Sequence, residues 1–387
     1  MNNFVFAIPY LLIVVTLFCL FIAEIKYYKH KPSKRIIQRI AFVILLVFIG
    51  LRGFIYSDWY SYYPEFNYMP SLWHNNLAEI IKYISNMQYE PLFSGYSILV
   101  KSIYPSYFFW VFVNTLIDFL VLSKFFKKHT NNYVFAWLFF FAMNGLFIEF
   151  NLFRNAKAII LFIISLKFLK ERKPIAYFSI NIIGVLFHAS ALIFLPLYFI
   201  LNKKIPKIIL WLIFIFGNII FLNQIGWIEK ISDSLLLINF LSIGEKILLY
   251  SSTENNFGIS IGYIERILTF ILIMIFRKKL LIKDSSNNIF INTYICYFIS
   301  IFYLHEFSVF AERLSVLFIF SYWIIYPKIY SIISRPLNRK IFIFTCMIFI
   351  MLKVTVANLN PLAKYDNILF GIESYDKRWS TFKKNIE

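Results

Sequence analysis

Cysteine is scarce in this chain. Its three residues, Cys19, Cys296 and Cys346, all lie inside apolar runs. They have no metal-like spacing, give no sign of a disulfide framework, and read as small hydrophobes. Acidic residues are also few, 20 against 39 basic, and the formal net charge is +19. No GxxxxGK[ST] or GxGxxG run occurs. ATP-driven transport and nucleotide-sugar binding through those folds therefore lack support. There is no HExxH, helical His-x-x-x-His pair or Asp-x-Asp, so neither a metal nor a cofactor is expected. A soluble domain, an internal repeat and a low-complexity linker are lacking too.

Apolar and aromatic residues are abundant, at 60% and 21% of the chain, with a mean hydropathy of +0.69. A soluble domain holds roughly 45–50% apolar residues. The excess comes in blocks such as 4–23, 133–150 and 341–357, each able to cross a hydrocarbon core ~30 Å thick as a helix. Lipid cannot satisfy backbone hydrogen bonds, and continuous apolar runs argue against the alternating strands of a barrel. The expected fold is all-α, a polytopic transmembrane helix bundle forming one integral membrane domain over 1–387.

Basic residues cluster in six short segments between apolar runs: 26–39, 124–128, 167–173, 203–207, 277–283 and 328–340. That is the positive-inside pattern of a membrane protein in contact with lipid, and nucleic acid is not expected as a partner. Placing all six inside gives helices near 4–23, 38–54, 107–125, 133–150, 155–170, 207–224, 259–276, 288–304, 307–326 and 341–357. The stretch 175–201 is basic at both ends and reads as a hairpin of two short helices with its apex near His188. The total is about 11–12 membrane segments. Extracytoplasmic loops are expected at 53–106, with an interfacial or re-entrant helix at 92–103, and at 225–258. The tail 358–387 is expected on the same side.

In this topology Arg52, Glu149, Arg154, His188, Glu265, Arg266, His305, Glu306, Glu312 and Arg313 all fall toward the non-cytoplasmic face. Intramembrane charge is expensive, at least ~2.5 kcal/mol at mid-bilayer, so such groups face a cavity and a partner. Taken singly, each reads equally well as a snorkelling residue or a structural ion pair. As a set on one face they point to an outward-open polar chamber.

Five segments carry a resemblance. They are LRGFIYSDWYSYYPEF (51–66), YEPLF (89–93), NLFRNAKAIILFI (151–163), FHASALI (187–193) and AERLSVLFIF (311–320). In order and spacing they resemble the EpsG/Wzy-type family of bacterial polysaccharide polymerases. Asn155 stands where that family has Gln, and Trp59 where Thr is common after Asp58.

The resemblance implies a membrane glycosyltransferase in the bacterial cytoplasmic membrane with its active site facing outward. Its substrate would be an oligosaccharide on undecaprenyl diphosphate, and a chain-length regulator membrane protein would be a partner. Such chemistry needs cations for a diphosphate leaving group, and arginine suits that role through its planar fork and permanent charge. Arg154 and Arg313 lead the candidates, followed by Arg52 and Arg266, with Lys157 one turn beyond Arg154. The base candidates are His188, Asp58, Glu90 and Glu312, among which the sequence does not choose. Asp58 and Glu90 read equally as sugar-hydroxyl ligands or as partners of Arg52. Trp59 and Tyr62, in the aromatic stretch 56–73, are candidate sugar contacts, although an interfacial belt has the same composition. The competing functions are a flippase for the same lipid-linked sugar and a membrane glycan ligase. O-antigen, capsule and exopolysaccharide stay equally open as products.

Overall fold

The computed structural model describes residues 3–86, 89–227 and 259–386. Among the described residues there are seventeen α-helices and no strand. The chain divides into two compact units, residues 1–198 with 326–387, and residues 199–325.

In the first unit, α1 (Ile8–Lys26) and α2 (Lys31–Gly50) are followed by three shorter helices, α3 (Trp59–Tyr68), α4 (Leu77–Asn86) and α5 (Pro91–Ile103). Then come α6 (Tyr107–His129), α7 (Tyr133–Phe140), α8 (Leu146–Asn151), α9 (Phe153–Lys170) and α10 (Pro174–Phe187). All eight residues of α7 are buried, as expected of a helix that is apolar on every side and sits inside a bundle. α1 packs on α2 and α7, and α6 packs on α2 and α9.

Two sequence expectations change in detail. The second helix begins at Lys31 rather than 38, because His30 caps it by accepting the Ser33 N–H. Lys31, Lys34 and Arg35 of the basic segment thus lie in its first two turns. The 133–150 helix is broken by a π segment at Phe141–Gly145, where Met143 leaves helical dihedrals and Asn144 has φ 59°. Asn tolerates that left-handed conformation better than most residues. A Cβ at Gly145 would overlap the Phe140 carbonyl oxygen, so the break needs glycine there. The hairpin at 175–201 is present in a different form: α10 turns at His188 into 3₁₀ turns at Ala189–Phe194 and Pro196–Phe199.

The unit closes with α16 (Pro336–Ala357) and a tail ending in α17 (Tyr375–Ile386). The tail runs back along residues 51–56, with Gly53 N–H donating to Asp366 O at 3.1 Å, Tyr56 N–H to Leu362 O at 2.8 Å and Ile368 N–H to Leu51 O at 2.9 Å. Arg378 is 3% exposed and pairs with Asp366 and Glu373, both at 3.0 Å. Tyr375, Trp379 and Phe382 lay their rings on Phe54, Trp59, Tyr60 and Tyr63.

The second unit holds α11 (Lys207–Leu222), α12 (Ile261–Lys283), α13 (Asn287–Phe302) and α14 (Ser308–Val316), and α15 (Phe320–Ile332) begins in it. The expected 307–326 helix is two pieces, α14 and α15, bent by 55°. The 225–258 loop falls largely on residues 228–258, which lie outside the described residues.

Four helices among the described residues are long and apolar enough to cross a membrane, or five if the bent pair counts as one. Shorter apolar helices lie at Pro174–Phe187, Ala189–Phe199 and Lys207–Leu222. The protein is a multi-pass helical membrane protein.

Candidate functional site

Arg154 lies in the first turn of α9, just after the break at Leu152. Its Nη1 donates to Glu90 Oε2 at 2.8 Å, its Nε to the Tyr62 hydroxyl at 3.4 Å, and its guanidinium stands 4.7 Å from the Tyr89 ring centroid. The Arg154 and Glu90 side chains are 24% and 19% exposed. Nη2 has no hydrogen-bond partner among the described residues, so it keeps two donors for a ligand.

Glu90 precedes α5, whose first residue is Pro91. Proline suits that position because the first helical N–H has no partner inside the helix. The second carboxylate oxygen, Oε1, accepts the Ala189 N–H at 3.0 Å, so Glu90 ties the start of α9 to the turn after α10. Burial pushes its carboxyl up, but the Ala189 N–H and the Arg154 guanidinium outweigh that and hold it below the usual range.

His188 ends α10 in extended conformation. Its Nδ1 accepts the Ser190 N–H at 3.1 Å and pairs with Ser190 Oγ at 2.7 Å. Asn155 Nδ2 donates to the same Oγ at 3.3 Å. A ring nitrogen that accepts a backbone N–H carries no proton, so the neutral imidazole has its hydrogen on Nε2. In that tautomer Ser190 occupies Nδ1, the ring nitrogen that could accept a proton.

Asp58 precedes α3. Asn151, at the end of α8, accepts the N–H groups of Ser57 and Asp58 at 3.2 and 3.3 Å, and Ser57 Oγ donates to Asp58 Oδ1 at 3.2 Å. One turn on, Tyr62 packs its ring on Phe153, Trp110 and Tyr89. Burial pushes the Tyr62 phenol up, with Arg154 opposing and Asp58 reinforcing the shift, so the group stays a neutral donor.

Two candidates leave the set. Trp59 is 3% exposed, covered by Phe54, Tyr375 and Phe382, with its indole N–H on the Tyr56 carbonyl. The tail covers the face a sugar would need. Arg52 is 2% exposed. Its guanidinium donates to the carbonyls of Ile49 and Glu149 and to Thr115 Oγ1, above the rings of Phe150 and Phe153. It fastens α2 to α8 and supports the site from behind, and it has no exposed edge for phosphate. Lys157 is likewise paired inward, with Asp118 at 2.8 Å and Asn114 O at 2.9 Å.

In the second unit, Arg266 donates from Nε to the Tyr297 hydroxyl at 3.0 Å. Glu265 beside it is 4% exposed and accepts from Thr269 at 3.1 Å. Glu312 and Arg313 are exposed on α14. Among the described residues no group of three or more His, Cys, Asp or Glu could hold a metal ion.

Sequence reasoning did not single out Tyr89, Asn151 or Ser190. All three lie inside or at the edge of the segments 89–93, 151–163 and 187–193. The signal that could have found them is a polar or aromatic residue adjoining a charged one at a helix boundary. Four separated segments, 51–66, 89–93, 151–163 and 187–193, thus meet around Arg154.

A family model described as the EpsG family matches residues 35–367. No curated protein and no solved structure matches the chain. The match spans all five segments and the membrane helices that hold them, and the chain belongs to the EpsG family, a family of Wzy-type, polymerase-like membrane proteins.

Proposed function

We propose that the protein is a polysaccharide repeat-unit polymerase. It transfers a growing glycan from undecaprenyl diphosphate to the terminal hydroxyl of a new lipid-linked repeat unit at the outer face of the cytoplasmic membrane. The observation that carries this reading is the meeting of four segments around one partly exposed arginine with a free Nη2 edge.

In the reaction the bond between the anomeric carbon and the diphosphate oxygen breaks, and a bond from that carbon to the acceptor oxygen forms. The acceptor proton passes to a base. Arg154 holds the departing diphosphate through charge-assisted hydrogen bonds, and such a site gains most of its rate by stabilising charge where it develops. Tyr62 donates to a sugar or phosphate oxygen. Asp58 and Glu90 are the base candidates, and the low carboxyl pKa and occupied oxygens of Glu90 weaken it as a proton acceptor. A chain-length regulator in the same membrane would be the protein partner.

The test is the length distribution of surface glycan in a strain lacking the gene, complemented with wild type or Arg154→Ala. A polymerase leaves single repeat units on deletion, and Arg154→Ala at normal protein level does not restore the ladder. Accumulation of lipid-linked units on the inner leaflet would instead make the protein a flippase.

A further inference from the structure

α2 runs toward the Arg154 site and α6 away from it, α2 ending at Gly50 just before Arg52 and α6 placing Trp110, in its first turn, against Tyr62 and Phe153. A helix of 23 residues such as α6 is ~35 Å long, so its other end lies on the far side of the bundle from Arg154. That end carries a cavity the polymerase reading leaves unused. Lys31, Lys34, Arg35 and Gln38 of α2 line it with Lys127 and Thr130 at the end of α6, around a volume of about 240 Å³. Four of these side chains are cations and none is an acid. The buried carboxylate of Glu24 is engaged behind them, accepting from Gln38 Nε2 at 2.7 Å and Val134 N–H at 3.0 Å.

Two features adjoin the cavity. Lys34 Nζ is anchored on the Asn131 carbonyl at 2.9 Å and stands 4.6 Å from the Tyr28 ring centroid. Tyr27 and Tyr28 are 42% and 53% exposed there, which suits aromatics at headgroup level. From Lys127 an exposed stripe runs back along α6 through Lys124 to Leu120 and Ile117, at helical spacing. Leu120 and Ile117 are 48% and 38% exposed. A cationic cavity opening onto an apolar stripe matches a molecule with an anionic head and a hydrocarbon tail. Basic pockets between membrane helices take anionic headgroups in this way.

We propose that this cavity binds the phosphate of an anionic phospholipid, whose acyl chain lies along the Ile117–Leu120 face of α6. The arginine fork grips the phosphate oxygens and the lysines act as point charges around it. A soluble phosphate would make the same polar contacts and gain nothing from the stripe.

Native mass spectrometry of the purified full-length protein tests this, with phosphatidylglycerol, phosphatidylcholine or inorganic phosphate added. Wild type is compared with K34Q/R35Q/K127Q and with K203Q/K278Q/K279Q, which removes the same charge elsewhere. The expected result is at least tenfold preference of wild type for phosphatidylglycerol over phosphatidylcholine. That preference is lost in the first triple variant, kept in the second, and unaffected by an equal concentration of inorganic phosphate. Lys127→Gln alone, an exposed side chain, should lose about a third to a half of the logarithmic preference. Equal binding by wild type and K34Q/R35Q/K127Q would overturn the proposal. So would displacement of the lipid by inorganic phosphate, which would make the ligand a soluble anion.

Discussion

Lys157→Met takes the cation away from a carboxylate that the protein has sealed from water. Lys157 Nζ is 2.8 Å from Asp118 Oδ1, and the two side chains are 6% and 2% exposed. The pair fastens α9 to α6 one turn from Arg154. Removing one partner of a buried pair costs about 3–5 kcal/mol, because the other charge is left uncompensated. Inside a bilayer the unfolded helices also find polar partners, which moves the expectation to the lower end, about 3 kcal/mol. Replacing both residues, Lys157→Met with Asp118→Leu, removes both desolvation penalties and should recover most of that loss. Unfolding in mixed micelles by a denaturing detergent, followed by tryptophan fluorescence, measures all three proteins. The surface-glycan ladder should shrink in the single variant in step with folded protein and return in the double variant. A single variant within about 0.5 kcal/mol of wild type would refute a dry, essential pair. A double variant no more stable than the single would show that the charge imbalance is not the cause.

Glu90→Gln should cost about 1–2 kcal/mol at pH 7, since a half-buried charged hydrogen bond lies between surface and core values. Burial raises the Glu90 carboxyl, but the Ala189 N–H and Arg154 depress it more. Its contribution is therefore whole above the unfolded value of ~4.3 and fades as pH falls through the folded one. Stability curves of wild type and variant that stayed parallel down through pH ~4 would count against the pairing. Arg52→Lys should lower folded protein by ~2 kcal/mol, because a lysine cannot fork onto two carbonyls. Arg154→Lys should instead shorten the glycan at normal protein level, and the reverse pattern would exchange the roles assigned to the two arginines. Phe382, 5% exposed beneath Trp59 and Tyr60, should cost ~3 kcal/mol when truncated to alanine. Hydrogen exchange across residues 366–386 should then accelerate, and unchanged exchange would mean that the tail is held by its ion pairs alone.

Hydrophobic blocks and basic segments determined the fold class, because each helix must satisfy its own backbone in lipid and each basic segment resists crossing. The short helix at 91–103 and the turn at His188 were legible for the same reason. So was the place of Arg154, a charge at the head of an apolar helix. What the sequence could not divide was one arginine from another, because Arg52 and Arg154 look alike at helix ends. Only the tertiary structure decided that Arg52 is locked on two carbonyls while Arg154 keeps a free edge. Trp59 likewise looked like a sugar platform until residues more than three hundred positions away folded over it. The inward pairing of Lys157 with Asp118 also depends on a contact distant in sequence. Composition and period record what each segment must bury, whereas the partner of a buried charge is chosen by packing.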